Sequence, residues 1–418
     1  MNRPSRLTVF PLLLASLVTL SCLPLRVQAQ ATRRHTPPRN KSRIKPEHRF
    51  AKGHAAFAIP FENSNNLIFM QVRVNESEPL WFILDTGASY TVVKQKRAQS
   101  LGLKLETKAS EFEGQPFAKN VRLSLPGVEL FNQTIVAAPT AMLEPSVGRA
   151  VDGVLGYDFF RNFVVEIDYT AQLIHLYEPA AYTHRDLGQG LPITIEDRTP
   201  FVRLQVIQPE GKSYEGKFMI DTGANSALNI FGGFDNAHGI SKSTPKLLQT
   251  SSVGVSGRRG ASIGRLNEIK LGSFRIKNPI VSFAPVRSDS DDLGDGEIGG
   301  ELLRRFKVII DYSLKRIVIE PRVDLAEPFE ASLSGAGIAA EGVDYKTFKV
   351  RAVIENSPAS EAGLRAGDII TKIDNKPASE FTFEQLRKMF RQEGREYLLE
   401  IKRDDKTQQV KLKLRRLI

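Results

Sequence analysis

Trp81-Phe82-Ile83-Leu84-Asp85-Thr86-Gly87-Ala88 and Phe218-Met219-Ile220-Asp221-Thr222-Gly223-Ala224 decide how this chain folds: twice an apolar run delivers the same tetrapeptide, Asp-Thr-Gly-Ala. On average residue usage, a given tetrapeptide of common residues turns up by accident in roughly one chain of this length in a hundred. A second copy in a matching context points to duplication instead. Two copies also supply two carboxylates for one site.

The repeat extends well beyond the tetrapeptides and spans residues 55–321. Leu125-Pro126-Gly127-Val128 through Pro139 matches Leu271-Gly272-Ser273-Phe274 through Pro285, with Asn132 opposite Asn278. Asp152–Thr170 then aligns without a gap to Asp295–Ser313, with 9 of 19 positions identical, among them Arg161 and Arg304, Phe163 and Phe306, and Asp168-Tyr169 and Asp311-Tyr312. Short runs rich in Val, Ile, Phe and Leu predict strands at 69–74, 163–167, 173–177, 201–207, 307–310 and 317–319, separated by Gly, Pro, Asn and Asp turns. Brief helices are expected near 94–101 and 159–163. Each half therefore reads as a small β-barrel-like lobe.

Length and composition bound the rest. A chain of 418 residues suits two to four domains. Arg3 and Arg6 precede an apolar stretch from Leu7 to Leu20, and Val27-Gln28-Ala29 offers small residues for cleavage, so residues 1–29 read as a secretory signal, with an N-terminal anchor as the alternative. That places the mature protein in the periplasm or outside the cell, without a transmembrane span. Cys22 is the single cysteine, and Thr19-Leu20-Ser21 before it is a weak lipobox. Past the signal there is then no disulfide, thiol nucleophile or cysteine-ligated metal. The net charge of +11 is misleading, because residues 1–54 hold eleven Lys/Arg against Glu47 alone and so carry +10 of it. No basic folded domain remains to grip nucleic acid. Residues 30–54 read as a disordered basic linker, or alternatively as a pro-segment laid across an acidic cleft.

An aspartate at the end of a buried strand, followed by Thr and Gly, sits on a tight loop that permits close backbone approach. Thr86 and Thr222 can bond across to the opposite loop, with Gly87, Ala88, Gly223 and Ala224 completing the support. If the lobes pack about a pseudo-twofold axis, Asp85 and Asp221 meet. Two charges about 3 Å apart at an effective dielectric near 20 repel by roughly 5 kcal/mol, or about four pKa units. One proton must be shared, which makes one carboxyl a base and the other an acid.

On these residues the chain resembles retropepsin-like aspartyl proteases over both repeats. The later apolar-apolar-Gly element of that family matches Val154-Leu155-Gly156, whereas Glu297-Ile298-Gly299 places a carboxylate where an apolar residue is expected. The resemblance implies two lobes, 55–180 and 181–325, forming a pseudo-dimer as in pepsin-like enzymes, with Asp85 and Asp221 as the catalytic pair and a peptide or protein as substrate. Flap candidates are Ser251–Gly260 and, in the first half, Glu111–Asn120. Ala88 and Ala224 stand where pepsin-like enzymes usually carry Ser or Thr, so a working pH nearer neutral is expected.

The tail, 326–418, differs in kind. Ser357-Pro358-Ala359-Ser360-Glu361-Ala362-Gly363-Leu364 runs into Arg365-Ala366-Gly367-Asp368-Ile369-Ile370, then Phe383, Leu386 and Phe390 take helical spacing and two strands close the chain. It resembles a PDZ domain of bacterial envelope proteases. The resemblance implies that Gly335, Ala336, Gly337 and Ile338 receive a peptide's terminal carboxylate, that the peptide adds a strand beside 338–341, and that its side chains meet the helix near 384–389.

Other chemistries find little purchase. The six histidines lack ligand spacing, so no metal is expected. Ser89 lies outside any Gly-x-Ser-x-Gly elbow. No motif implies a cofactor. Asp168 and Asp311 read as turn formers before Tyr. Three classes stay open: an aspartic endopeptidase whose tail positions peptides, an inactive peptide-binding envelope protein working through its tail, and a structural envelope module.

Overall fold

The computed structural model describes residues 47–184, 188–209, 211–254, 257–284 and 294–418. The structure is mainly β. Each Asp-Thr-Gly strand lies at the centre of its lobe because it is apolar on both faces. Phe82 and Leu84 point into the main core, and Ile83 into a second cluster with Leu67, Phe69, Val147 and Val151.

Both lobes repeat one unusual register. Leu80–Leu84 pairs in parallel with Gly153–Leu155, which pairs antiparallel with Val92–Lys94. In the second lobe Ser213–Ile220 pairs in parallel with Gly296–Ile298, which pairs antiparallel with Leu228–Ile230. The predicted apolar-apolar-Gly elements thus flank the aspartate strands, and Glu297 does not disturb the register of lobe 2.

A shared sheet joins the lobes. Val164–Asp168 pairs antiparallel with Phe306–Asp311. Outward from that seam follow Leu173–Tyr177 and Ala55–Ser64 on one side, and Arg316–Pro321 and Gln189–Pro192 on the other. The arrangement is the pseudo-twofold axis that the repeat predicted. Asp168 accepts the N–H groups of Thr170 and Ala171, and Asp311 accepts that of Leu314, so each shapes the turn after its seam strand.

Residues 47–54 depart from the expected linker. His48–Phe50 is a strand paired with Val128–Leu130, and the His48 ring packs edge-on against Phe163 at 4.8 Å. A half-buried aromatic residue at every second position outweighs the local positive charge. The signal and most of the basic segment, residues 1–46, lie outside the described residues.

The tail is a six-stranded sheet with its own core, including Phe348, Leu364, Ile370, Leu386, Leu399 and Ile401. Its helix Phe383–Met389 begins with a capping box, Thr382 and Gln385 satisfying each other's backbone. Arg305 fastens the segment leading into it. This arginine is 1% exposed, donates to the carbonyls of Asp324, Leu325, Glu327 and Pro328, and lies 3.6 Å over the Phe329 ring.

Candidate active site

The two Asp-Thr-Gly-Ala loops meet at the interface of the lobes. Each arrives on the same support: the Asp85 N–H donates to Leu155 O at 3.0 Å, and that of Asp221 to Ile298 O at 2.9 Å. The threonines then cross over. Thr86 N–H donates to Thr222 Oγ1 and Thr222 N–H to Thr86 Oγ1, both at 3.0 Å, while Thr86 Oγ1 donates to Ile220 O at 2.6 Å and Thr222 Oγ1 to Leu84 O at 2.7 Å. Four bonds buried away from water lock the loops together.

The glycines set how close the aspartates come. A Cβ at Gly87 would lie 2.7 Å from Asp221 Cγ, and one at Gly223 would lie 2.3 Å from Asp85 Cγ. Each carboxyl fills the space its opposite glycine leaves. Gly87 N–H and Ala88 N–H donate to Asp85 Oδ1 at 2.8 and 3.0 Å, and Gly223 N–H donates to Asp221 Oδ1 at 2.8 Å. The two carboxyls face each other at close range, and their burial and mutual repulsion favour one shared proton over two charges.

Burial, then the charge of Asp221, holds Asp85 well above the ordinary carboxylate range. Burial likewise raises Asp221, against the hydrogen bonds it receives. The values belong to the pair rather than to either residue. Burial also pushes the Tyr312 hydroxyl up, with both aspartates adding to the shift. A pair holding one proton can take a proton from a bound water while donating one to a polarised carbonyl.

Several neighbours were not legible beforehand. Asn65 and Asn66 form a tight turn with φ of 53° and 64°, and Asn66 Nδ2 donates to Asn225 O beside the second loop at 2.8 Å. Its pseudo-symmetric partner is the turn at Asp197 and Arg198, where Asp197 O accepts Ser89 Oγ at 3.2 Å. The available signal in the sequence was the turn-forming residues Asn65-Asn66 and Asp197 between apolar runs.

Glu297 is half-buried on the strand beside Met219, and it accepts a hydrogen bond from Asn229 and interacts with Asp221. Lobe 1 has Val154 and Val92 at the matching pair of positions. One apolar cross-strand pair has been exchanged for a polar one as a unit.

The flap candidates are unequal. In lobe 2, Leu247–Gly254 and Gly257–Arg265 pair as a long hairpin whose tip, 255–256, lies outside the described residues. In lobe 1, the candidate contains a short turn at Phe112–Gly114 before the strand Phe117–Leu125.

In the tail, Gly335 has φ +73°, and a Cβ there would lie 2.2 Å from Ser357 Cβ. Ser334 Oγ accepts the Ala336 N–H at 3.1 Å. Gly337 and Ile338 continue into Ala336–Glu341, an edge strand of the tail sheet. Among the described residues no cluster of His, Cys, Asp or Glu has metal-ligand geometry, and no helix is long and apolar enough to cross a membrane.

Two protein-family models match stretches of this chain. An aspartyl protease family model matches residues 70–159 and again 206–302, and a PDZ domain model matches 349–403. No curated protein matches the chain. Among solved structures, basic 7S globulin from soybean covers 67% of this chain and 100% of its own at 12% identity, with a TM-score of 0.40.

Proposed function

Because the chain is built from two retropepsin-like aspartyl protease regions and a C-terminal PDZ domain, we propose that it is an aspartic endopeptidase with Asp85 and Asp221 as its catalytic pair. The observation that carries this reading is the facing of the two carboxyls across Gly87 and Gly223, an arrangement in which sharing one proton relieves their repulsion.

The reaction needs no covalent intermediate. A water held between the carboxyls loses a proton to the ionised member as its oxygen attacks a peptide carbonyl, whose oxygen is polarised by the protonated member. Collapse of the tetrahedral species passes a proton to the departing amine and restores the singly protonated pair. The raised titration of Asp85 keeps that form populated to higher pH, which supports work nearer neutral than in digestive relatives. Both carboxyls come from one chain, so activity per mole should hold on dilution.

The PDZ domain supports binding of peptide or protein segments through Gly335–Ile338. Arg3, Arg6 and the apolar stretch at 7–20 support export to the periplasm or beyond the cell.

The test is peptide cleavage by the purified protein against Asp85→Asn and Asp221→Asn. Loss of at least a hundredfold in both is expected. Undiminished cleavage by either variant would refute the pair as the catalytic groups, and absence of cleavage by the wild type would leave the inactive peptide-binding reading in place.

A further inference from the structure

The PDZ groove, between the edge strand Ala336–Glu341 and the helix Phe383–Met389, already holds part of lobe 1. The short helix Glu144–Val147 packs against the edge strand. At Gly148, whose φ is +76°, a Cβ would lie 2.5 Å from the Phe383 ring. One turn further along the PDZ helix, Arg387 donates to Ser146 O and stacks on Phe383 at 4.0 Å. Glu144 lies near Tyr345, just past the strand, where its charge adds to burial in raising the tyrosine hydroxyl. Phe383 and Arg387 are four residues apart and so share the helix face that would take a ligand's side chains. The enzyme's own short helix lies against the edge strand, whose Gly337 stays exposed, and part of the PDZ helix face is occupied by lobe 1. A cavity of about 620 Å³ between Pro145 and Ala340–Val343 remains open beside the covered stretch.

This clasp reaches the candidate active site by two short routes. Val147 packs with Val151, Phe69 and Ile83, and Ile83 lies two residues before Asp85. Glu384 accepts the N–H of Asn65 at 3.2 Å, and the neighbouring Asn66 holds Asn225 beside the second catalytic loop. The preceding turn, Thr140–Leu143, meets the lobe 2 hairpin strand Leu247–Gly254. The catalytic loops have their locked, symmetric geometry while the clasp is closed.

We propose that the PDZ groove is a product sensor: a peptide with a free C-terminal carboxylate displaces residues 144–148 from it, and that displacement lowers proteolytic activity. This rests on the endopeptidase reading. Hydrolysis adds water across a peptide bond and leaves one new carboxylate on the N-terminal product, the group a PDZ edge strand and its preceding glycine loop accept. Peptide and clasp compete for the same groove. Peptide binding therefore requires opening, and opening removes Val147 from beneath Ile83. By reciprocity, whatever the peptide costs the active conformation, the active conformation costs the peptide.

The experiment locks the clasp. In a Cys22→Ser background of the full chain, Gly148→Cys with Phe383→Cys places two Cβ atoms 2.6 Å apart before relaxation, about 1 Å short of ordinary disulfide spacing. The probes are a fluorescein-labelled decapeptide ending Ala-Val-Ile with a free carboxylate and the same peptide amidated, read by anisotropy and by the rate of cleavage of a separate quenched substrate. In wild type the free-carboxylate peptide should bind and lower kcat/KM roughly tenfold at saturation, within the usual range of coupling between sites. In the oxidised lock its affinity should fall at least tenfold and its effect on the rate vanish, both returning on reduction. If the lock does not fold, Arg387→Ala, which loosens the clasp, should tighten peptide binding about threefold or more.

Equal binding to oxidised and reduced lock, equal binding of the amide, no binding to reduced lock or Arg387→Ala, or binding with no change in rate would each overturn the proposal. The anisotropy arm is repeated on Asp221→Asn and needs no catalysis. Absence of cleavage would thus remove the endopeptidase reading while peptide competition with the clasp is still measured.

Discussion

Asp85→Asn should make the protein's stability less dependent on pH, and the size of that change follows from the shared proton. The amide keeps Oδ1 for the Gly87 and Ala88 N–H groups and offers Nδ2 to Asp221, so the loop geometry survives. In the wild type the folded-state titration of Asp85 is raised, while the unfolded chain releases the same proton near pH 4. Between those two values the folded state binds more protons than the unfolded state. Stability is then full below about pH 4 and falls as pH rises through the window, by up to about 1.4 kcal/mol per pH unit for one proton. Asp85→Asn lacks that titration and should show a slope shallower by up to this amount, so the variant gains on the wild type as pH rises. Urea unfolding at half-unit steps from pH 4 to 8, followed by fluorescence, reads the difference. Trp81 is the single tryptophan and lies four residues before Asp85, so it reports on this strand. Parallel stability curves for the two proteins across the whole range would refute proton sharing, and with it the argued chemistry.

The threonine crossover gives a symmetric expectation: Thr86→Val leaves Thr222 N–H and Ile220 O without partners and should cost about 2–4 kcal/mol. Thr222→Val should cost the same within about 1 kcal/mol, and the double variant less than the sum, since the residues share one network; additive costs in urea unfolding would show that the loops are not locked together. Arg305→Met abandons the carbonyls of Asp324, Leu325, Glu327 and Pro328, with a cost of about 2–4 kcal/mol and faster proteolytic nicking in that segment. An unchanged nicking rate by mass spectrometry would mean that this arginine does not hold the PDZ domain's approach segment.

What the sequence disclosed and what it hid divide along range. The strand Leu173–Tyr177 follows from alternation within five residues, and its predicted bounds coincide with the observed ones. The pairing of Asp85 with Asp221 spans 136 positions, yet it was legible because duplication carries long-range information that a single segment lacks. Asn66 on Asn225 and Gly148 on Phe383 have neither advantage. Each lies on a connection whose local reading is only a turn, and its partner is set by how finished domains dock. Glu297 was visible as an oddity, but its partner Asn229 sits on a neighbouring strand 68 residues away. His48 and Phe50 were concealed differently: charge composition marked them as linker, while two aromatic side chains facing Phe163 were enough to hold a strand.

The two lobes are alike where the chemistry needs them to be and unlike where a bound chain would distinguish one side from the other. Proton sharing needs two equivalent loops, and the bonds from Thr86 and Thr222 match within 0.1 Å pair by pair. A peptide crossing the pair is directional, and a fused chain, unlike a homodimer, can vary its walls separately. Lobe 1 presents Val92 and Val154, a short turn at 112–114 and the segment that enters the PDZ groove; lobe 2 presents Asn229, Glu297 and a long hairpin. The polar pair in lobe 2 changes both members together, which is how a sheet accommodates a carboxylate without leaving a buried donor unpaired. The clasp in lobe 1 uses a helix of four residues, too short to be stable alone, so its form depends on what it packs against. A segment of that kind can respond to a competitor at the PDZ groove, and its departure takes Val147 from the face of the central strand that carries Ile83.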